Sequence, residues 1–231
     1  TMDGFLIETE GLTKYFGETP AIKDVDLHVK KGEIYGLLGR NGAGKTTIMK
    51  MLLGLTKATK GTIQLFNKPF EKPEKSILNR IGAMIETPGF YPNLTATENL
   101  EILASLRGVI HKDAVKRSLE QVGLSYKDRK LYAEYSLGMK QRVGIAAAII
   151  HDPELLILDE PTNGLDPEGI KEVRELILKL NRDRKITVLI SSHILGELSK
   201  FATRYGIIHH GKLIEEFTEN QLWERCSSKD G

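Results

Sequence analysis

The chain has 231 residues, of which 40% are hydrophobic and 28% charged, and its formal net charge is +2 at pH 7. These values are typical of a globular protein with a sizeable core, and the near-neutral charge gives no reason to expect nucleic acid as a partner. No run approaches the ~18 apolar residues of a membrane span, and the acidic start TMDGFLIETEG does not resemble a signal peptide. The single cysteine, Cys226, cannot form an internal disulfide, so a reducing compartment is expected.

The first part of the chain predicts strands and then a helix. The runs FLIETEGL and IKDVDLHV alternate apolar and polar residues, as half-buried antiparallel strands do. The run EIYGLLG is more continuously apolar, and a Gly-rich turn and the helical pattern KTTIMKMLLG follow it. Together they predict a strand, a loop and a helix that stops at Gly54.

The middle of the chain predicts helices. From about Thr87 to His151 the pattern shows no convincing strand, and Thr95 and Glu98 have the spacing of a capping box. Two further helical runs are KDAVKRSLEQVGL and KQRVGIAAAIIHD. This part is interpreted as a helical insertion.

The last part returns to alternating strands and helices. LLILDEP and TVLISSH are short apolar runs typical of buried parallel strands, and Asp166 followed by Pro167 predicts the start of a helix between them. RYGIIHHGKLIEEF predicts a hairpin, and ENQLWERC a closing helix with Trp223 in the core. The fold class predicted is α/β, with a mostly parallel sheet, an antiparallel N-terminal sheet and the helical insertion.

The motif GRNGAGKTT, Gly39–Thr47, carries the strongest functional signal. It matches G-x-x-x-x-G-K-[ST] between a predicted strand and a predicted helix, which disfavours the alternative of an ordinary Gly-rich turn. Backbone N–H groups of such a loop bind phosphates, Lys45 reaches the β- and γ-phosphates, and the Thr46 hydroxyl can ligate Mg²⁺. The predicted nucleotide-binding residues here are Gly39, Arg40, Asn41, Gly42, Ala43, Gly44, Lys45, Thr46 and Thr47.

The run LLILDEP supplies two acids at the end of a buried strand. Asp159 is predicted to hold the Mg²⁺ shell, and Glu160 to polarise a water for attack on the γ-phosphate. Two solvated acids would be the plain alternative. That alternative is disfavoured downstream of a P-loop.

These motifs occur together with two others. The combination of GRNGAGKTT, YSLGMKQR, LDEPTNGLD and SSH resembles the ATP-binding subunit of an ABC transporter, over nearly the whole chain. The resemblance implies one ATPase domain, 1–231, with an α/β nucleotide-binding core of about 1–86 and 152–231 and a helical subdomain of about 87–151. It implies ATP and Mg²⁺ as cofactors, and catalysis by Glu160 and Lys45.

The resemblance also implies partners. Two copies would form a homodimer around ATP, and separate transmembrane permease subunits would hold the chain at the cytoplasmic face of the cell membrane. The Pro/Gly-containing loop Thr87–Asn99 is the candidate contact with these subunits. No nucleic acid is expected.

YSLGMKQR stands where the family carries its L-S-G-G-Q signature. In the family this segment opens a helix and contacts the γ-phosphate bound to the other protomer, and Ser136 and Gly138 match it. A simple helix cap by Ser136 is compatible with that role. The departures are Tyr135, Leu137 and Met139.

Three further segments match family elements. Asn163–Asp166 corresponds to the D-loop of the dimer seam, with a purely structural role of Asp166 as helix cap as the alternative. His193 corresponds to the switch histidine near the γ-phosphate and is counted as catalytic. His209 and His210 match no family element and are interpreted as hairpin residues, with metal binding as the alternative. An aromatic before Gly17 would stack on adenine; the matching residue is Phe16, with Tyr15 beside it.

Glu86 stands where the family usually carries glutamine. A carboxylate ligates Mg²⁺ more strongly than an amide, but repels a γ-phosphate by a few kcal/mol at about 4–6 Å and an effective dielectric of about 20. Glu86 is therefore expected either to ligate the metal or to stay away until the dimer closes. The alternative is a solvated loop acid.

The glutamate at position 86 and YSLGMKQR also resemble the lantibiotic and bacitracin-type exporters. This favours export of an antimicrobial peptide or drug. The rival function is a soluble ABC ATPase that acts on DNA, ribosomes or iron–sulfur assembly, whereas a P-loop kinase or GTPase would lack the signature and the switch histidine.

Overall fold

The secondary structure alternates strands and helices, and a computed structural model describes it for residues 4–86 and 89–228. The strands are Phe5–Phe16 (β1), Thr19–Val25 (β2), His28–Lys30 (β3), Ile34–Leu38 (β4), Lys60–Leu65 (β5), Lys68–Pro69 (β6), Ile81–Met84 (β7), Leu155–Leu158 (β8), Thr187–Ser192 (β9), Arg204–His209 (β10) and Lys212–Thr218 (β11). The α-helices are Lys45–Leu52 (α1), Lys75–Leu78 (α2), Ala96–Arg107 (α3), Ala114–Gln121 (α4), Leu137–Ile149 (α5), Pro167–Arg184 (α6), Leu195–Leu198 (α7) and Glu219–Ser227 (α8).

The described residues pack as two compact units. The first unit contains residues 4–78, 158–160 and 187–228. The second contains residues 79–86, 89–157 and 161–186. The predicted division at about residues 86 and 152 stays a prediction.

The first unit contains the expected antiparallel sheet, in the order β2-β1-β5-β6, and β3 also pairs with β1. The predicted strand IKDVDLHV is divided into β2 and β3. Between them, Asp26 Oδ1 accepts a hydrogen bond from the Gly11 N–H at 2.7 Å. The sequence reading did not anticipate β5 and β6, because in β5 only Ile63 and Leu65 are buried.

A second sheet of the first unit has the order β11-β10-β4-β9. β4 is parallel to both β10 and β9, and β11 is antiparallel to β10, as the predicted hairpin requires. Tyr35 of β4 is fully buried and its hydroxyl donates to Glu216 Oε2 at 2.8 Å. Burial, reinforced by Glu216, raises the Tyr35 pKa well above its ordinary value. This hydrogen bond ties the start of β4 to β11.

Helices dominate the second unit. Between residues 89 and 151 its elements are α3, α4, a 3-10 helix at Tyr132–Glu134 and α5, which confirms the helical insertion. The capping box of α3 is present: Thr95 Oγ1 accepts from the Glu98 N–H and Glu98 Oε1 from the Thr95 N–H, both at 3.1 Å. Asp166 caps α6 as predicted, because its Oδ1 accepts from the Gly169 N–H at 2.9 Å.

The expectation for Trp223 is wrong. The closing helix α8 forms, but it buries none of its residues, and 61% of Trp223 is exposed. α8 is held at its start by a capping box between Thr218 and Gln221 and along its side by the ion pair of Arg225 with Glu215. These polar contacts fix the helix without placing the indole in the core.

Gly82 in β7 allows a close approach of strand and helix in the second unit. A Cβ at this position would lie 2.0 Å from the backbone oxygen of Ala148 in α5. No L side chain fits at that separation, so β7 can lie against α5 only with glycine there.

Gly82→Ala should therefore destabilise the protein by about 1–3 kcal/mol, the usual cost of overpacking. Thermal and urea unfolding measure this loss. Gly89→Ala is the control in the same unit, since a Cβ there meets nothing within 4 Å. Equal melting temperatures for the two variants would contradict the prediction.

Candidate functional site

The loop between β4 and α1 has the backbone shape that its glycines permit. Gly42 and Gly44 have φ values of 82° and 112°, in the left-handed region. A Cβ at Gly39 would lie 2.6 Å from the carbonyl oxygen of Ile208, so only glycine fits at the start of the loop. The loop ends at the N-terminus of α1, where backbone N–H groups favour an anion.

Lys45 is the first residue of α1 and is only 5% exposed. Its ammonium donates to the carbonyl oxygen of Gly39, lies 3.4 Å from that of Arg40, and forms an ion pair with Glu160 Oε1 at 3.0 Å. A nearly buried ammonium is stable only when it is paired. The loop therefore places a positive charge beside its own backbone and one carboxylate.

Asp159, directly after β8, accepts two hydroxyl hydrogen bonds. Thr46 Oγ1 donates to Asp159 Oδ2 and Ser191 Oγ to Asp159 Oδ1, each at 2.7 Å. The predicted pair Thr46 and Asp159 is thus brought together. Sequence reasoning did not assign Ser191, and its only signal was a polar residue near the end of a buried strand.

Glu160 is held in the left-handed region with φ 48°, which is uncommon for a residue other than glycine. Its Oε1 lies 3.0 Å from the Lys45 ammonium, and its Oε2 lies 3.0 Å from His193 Nδ1. Lys45 and His193, the other two predicted catalytic residues, therefore both contact the Glu160 carboxylate. When His193 carries its proton on Nδ1, the ring donates to that carboxylate.

These residues border a cavity of about 320 Å³ in the first unit. The lining residues are Ala21, Asn41, Gly42, Gly44, Lys45, Thr46, Thr47 and Glu160. Of the other predicted loop residues, Gly39, Arg40 and Ala43 form the turn itself. The Ala43 N–H donates to the Arg40 carbonyl at 3.0 Å, which closes that turn.

The aromatic pair at the end of β1 differs in exposure. The Phe16 side chain is 61% exposed and Lys14 Nζ lies 5.1 Å from its ring centroid, whereas Tyr15 is half-buried. A base can stack only on an accessible ring face. The exposure favours Phe16 over Tyr15 for the predicted adenine contact.

The predicted signature residues lie in the second unit. Ser136 caps α5, with its Oγ accepting from the Met139 N–H at 3.2 Å, and its side chain is exposed. Ser136 and Gly138 border a cavity of about 280 Å³ together with Gly164 and Asp166 of the predicted D-loop. The helix-capping role of Ser136 is thus observed, and its phosphate contact stays a prediction.

Glu86 also belongs to the second unit. It is exposed, follows β7 and has a φ of 63°. Its predicted contact with Mg²⁺ stays a prediction. The neighbouring Thr87, the first residue of the candidate contact loop, lies outside the described residues.

The donors present suit Mg²⁺ bound together with a nucleotide. Within residues 4–86 and 89–228, no cluster of three or more His, Cys, Asp or Glu side chains could hold a metal alone. Mg²⁺ commonly takes one or two protein oxygens and completes its shell with phosphate and water. The Thr46 hydroxyl and the Asp159 carboxylate fit that pattern.

None of the helices in the described parts of the chain is long and apolar enough to cross a membrane.

Comparison with known sequences gives consistent matches. The sequence model of the ABC transporter family matches residues 22–163. The bacitracin transport ATP-binding protein BcrA of Enterococcus faecalis is 54% identical, over 96% of this chain and 72% of BcrA. The lantibiotic transport ATP-binding protein SrtF of Streptococcus pyogenes is 42% identical, over 91% of this chain and 90% of SrtF.

A solved structure has a similar fold and about a quarter of its aligned residues in common with this chain. The dimeric structure of an ATP-binding cassette in a post-hydrolysis state, bound to ADP and Pi, superposes with a TM-score of 0.81 and 26% identity. The match covers 92% of this chain and 98% of that chain. The predicted fold class is confirmed, and the chain belongs to the ATP-binding subunits of ABC transporters, which are ATPases.

Proposed function

We propose that this chain uses Mg²⁺ and ATP to power export of a bacitracin- or lantibiotic-type peptide through separate permease subunits at the cytoplasmic face of the membrane. The catalytic part of the proposal rests on one observation. Lys45 and His193 both contact the Glu160 carboxylate beside the glycine-rich loop. The names of BcrA and SrtF support the choice of substrate class.

The chemistry follows from the positions of these side chains. Backbone N–H groups of Gly39–Thr47 and the Lys45 ammonium bind the β- and γ-phosphates. The Glu160 carboxylate orients a water and accepts its proton as the water oxygen bonds to the γ-phosphorus and the bond to ADP breaks. His193 steadies Glu160 and the γ-phosphate. Bound Mg²⁺, held by Thr46 and Asp159, would neutralise phosphate charge.

The homodimer explains why Ser136 is exposed. In the proposed arrangement two copies bind two ATP molecules head to tail, and Ser136 and Gly138 of one copy contact the γ-phosphate held by the phosphate loop of the other. The dimeric cassette with a similar fold supports this arrangement. The exposed Leu137, where the family signature has glycine, would lie at the same seam.

Glu160→Gln should bind ATP, accumulate as a dimer and hydrolyse ATP about 10²–10⁴-fold more slowly, because an amide cannot accept the proton. Single-turnover hydrolysis and size-exclusion chromatography with ATP measure both effects. The control is Glu175→Gln, which removes a solvent-exposed acid of α6. Hydrolysis by Glu160→Gln at the rate of the unmodified protein would remove Glu160 from the role of base.

Glu86 is proposed to act on the metal side of the closed dimer, with a solvated loop acid as the alternative. Its side chain is exposed, as a contact with a second copy would require. Its place just after β7 lets the loop transmit motion between nucleotide and permease. Whether Glu86 contacts the metal or is a solvated loop acid, its change is expected to alter the coupling of ATP hydrolysis to transport rather than the affinity for nucleotide.

Glu86→Gln should leave ATP binding unchanged but alter the stimulation of hydrolysis by the membrane subunits by roughly fivefold or more, the lower range of ordinary coupling. ATPase rates with and without those subunits, and bacitracin resistance of cells, measure the change. Glu175→Gln again serves as control. Identical coupling and resistance for the mutant and the unmodified protein would rule the idea out.

An apolar groove in the second unit is the proposed permease contact. It has a volume of about 380 Å³ and is lined by Gly89, Phe90 and Tyr91 of the predicted contact loop, together with α3 residues. Leu106 at its edge is 81% exposed. An exposed apolar surface of this kind fits an amphipathic segment of another protein.

Leu106→Asp should abolish association with permease-containing membranes and bacitracin resistance while ATP binding persists, because the aspartate would be desolvated in the contact. Leu55→Asp, at an exposed apolar residue of the first unit, is the matched control.

A membrane pull-down also tests the rival function. Recovery of ribosomes or nucleic acid instead of membrane subunits would favour a soluble non-transport ABC ATPase.

A further inference from the structure

Ser191 is the first residue of the motif SSH, in which only His193 was assigned a role. It is the fifth residue of β9, and its side chain is fully buried. A buried hydroxyl is costly unless it is hydrogen-bonded, and an aliphatic residue would serve packing equally well in this wholly buried strand. The partners of the hydroxyl therefore indicate why serine is present.

Both partners of Ser191 belong to the acidic pair. Ser191 Oγ donates to Asp159 Oδ1 at 2.7 Å and accepts from the Glu160 N–H at 2.9 Å. A hydroxyl has one donor hydrogen and two acceptor lone pairs, so one group can make both bonds at once. Ser191 thus joins the proposed metal-binding acid to the proposed base.

The contact to Asp159 fixes the orientation of its carboxylate. Each carboxylate oxygen accepts one hydroxyl, Oδ2 from Thr46 and Oδ1 from Ser191. Thr46 is itself a proposed metal ligand, whereas Ser191 is not. The Ser191 bond therefore holds Asp159 independently of the groups that bind the nucleotide and metal.

The contact to Glu160 supports an uncommon backbone conformation. Glu160 has a φ of 48°, and such conformations persist only where the surroundings hold them. The Ser191 hydroxyl binds the N–H of that same residue. With the backbone held, the side chain reaches both Lys45 and His193.

We propose that Ser191 is a positioning residue for hydrolysis, which sets the Asp159 carboxylate toward Mg²⁺ and the Glu160 backbone toward the attacking water. The proposal rests on the roles proposed above for Asp159 and Glu160. The Ser191 hydroxyl is bonded to Asp159 and to the Glu160 N–H, so it acts through these two acids. It should affect turnover and the Mg²⁺ requirement, and leave metal-free ATP binding intact.

Ser191→Ala is the main variant, and three quantities are measured on the full chain. Turnover should fall about 10–100-fold, and the Mg²⁺ concentration for half-maximal rate should rise by a similar order, as for other residues that orient metal ligands. The dissociation constant for ATP with excess chelator should stay within about twofold of the unmodified value, because the phosphate loop is untouched. Ser191→Cys has a side chain of similar shape with a weaker hydrogen-bond donor. Its turnover and its Mg²⁺ requirement should lie between those of Ser191→Ala and the unmodified protein.

Thr187→Val is the matched control for loss of a buried hydroxyl. Thr187 lies on the same strand, is fully buried and accepts from the Gly32 N–H at 2.8 Å, away from the acidic pair. It should lower the melting temperature without changing the Mg²⁺ requirement. Equal turnover and Mg²⁺ dependence for Ser191→Ala and Thr187→Val would overturn the proposal.

Glu160→Gln, measured in parallel, separates this inference from the proposed function. If Glu160→Gln is inactive while Ser191→Ala turns over normally, only the inference about Ser191 fails. If Glu160→Gln hydrolyses ATP normally, the proposed base is wrong, and any defect of Ser191→Ala must then be explained through Asp159 alone.

Discussion

The arrangement of the nucleotide site depends on the Glu160 carboxylate, which contacts both Lys45 and His193. Lys45 begins α1, Glu160 follows β8 and His193 follows β9. The Lys45 ammonium and His193 Nδ1 each lie 3.0 Å from an oxygen of the Glu160 carboxylate. A lysine as buried as Lys45 needs an acid beside it. The position of β4 relative to β9 supplies that meeting: Leu38 pairs with Ser192, and the Gly39 N–H donates to the Ser192 carbonyl at 3.2 Å.

Much of the fold could be predicted because short sequence patterns determine where many helices start and which strands are buried. Helix starts at Thr95 and Asp166 carry cap residues whose bonds form as expected, and continuous apolar runs mark the buried strands. Strands β5 and β6 escaped prediction because their stability comes from pairing with β1, and the pattern of KGTIQL is too short to indicate it. Trp223 was misplaced since an aromatic on a helix does not reveal whether anything packs on it.

The site divides in the same way. The phosphate loop could be predicted from spacing because glycines at positive φ and a lysine at a helix start are local requirements. The assignments of His193 and Ser136 needed the family resemblance, since a lone histidine or serine carries little signal. Ser191 could not be found, because its partners Asp159 and Glu160 are about thirty residues away and only the folded sheet brings them together.

The ion pair between Lys45 and Glu160 makes nucleotide binding an exchange of partners. A triphosphate that enters the loop competes with the carboxylate for the same ammonium. As the phosphate takes over that charge, the Glu160 carboxylate would keep only its contact with His193 and one of its oxygens would become available to another partner. In the proposed mechanism the ion pair therefore couples the two events, because the group that binds the phosphate is the same group that holds the proposed base.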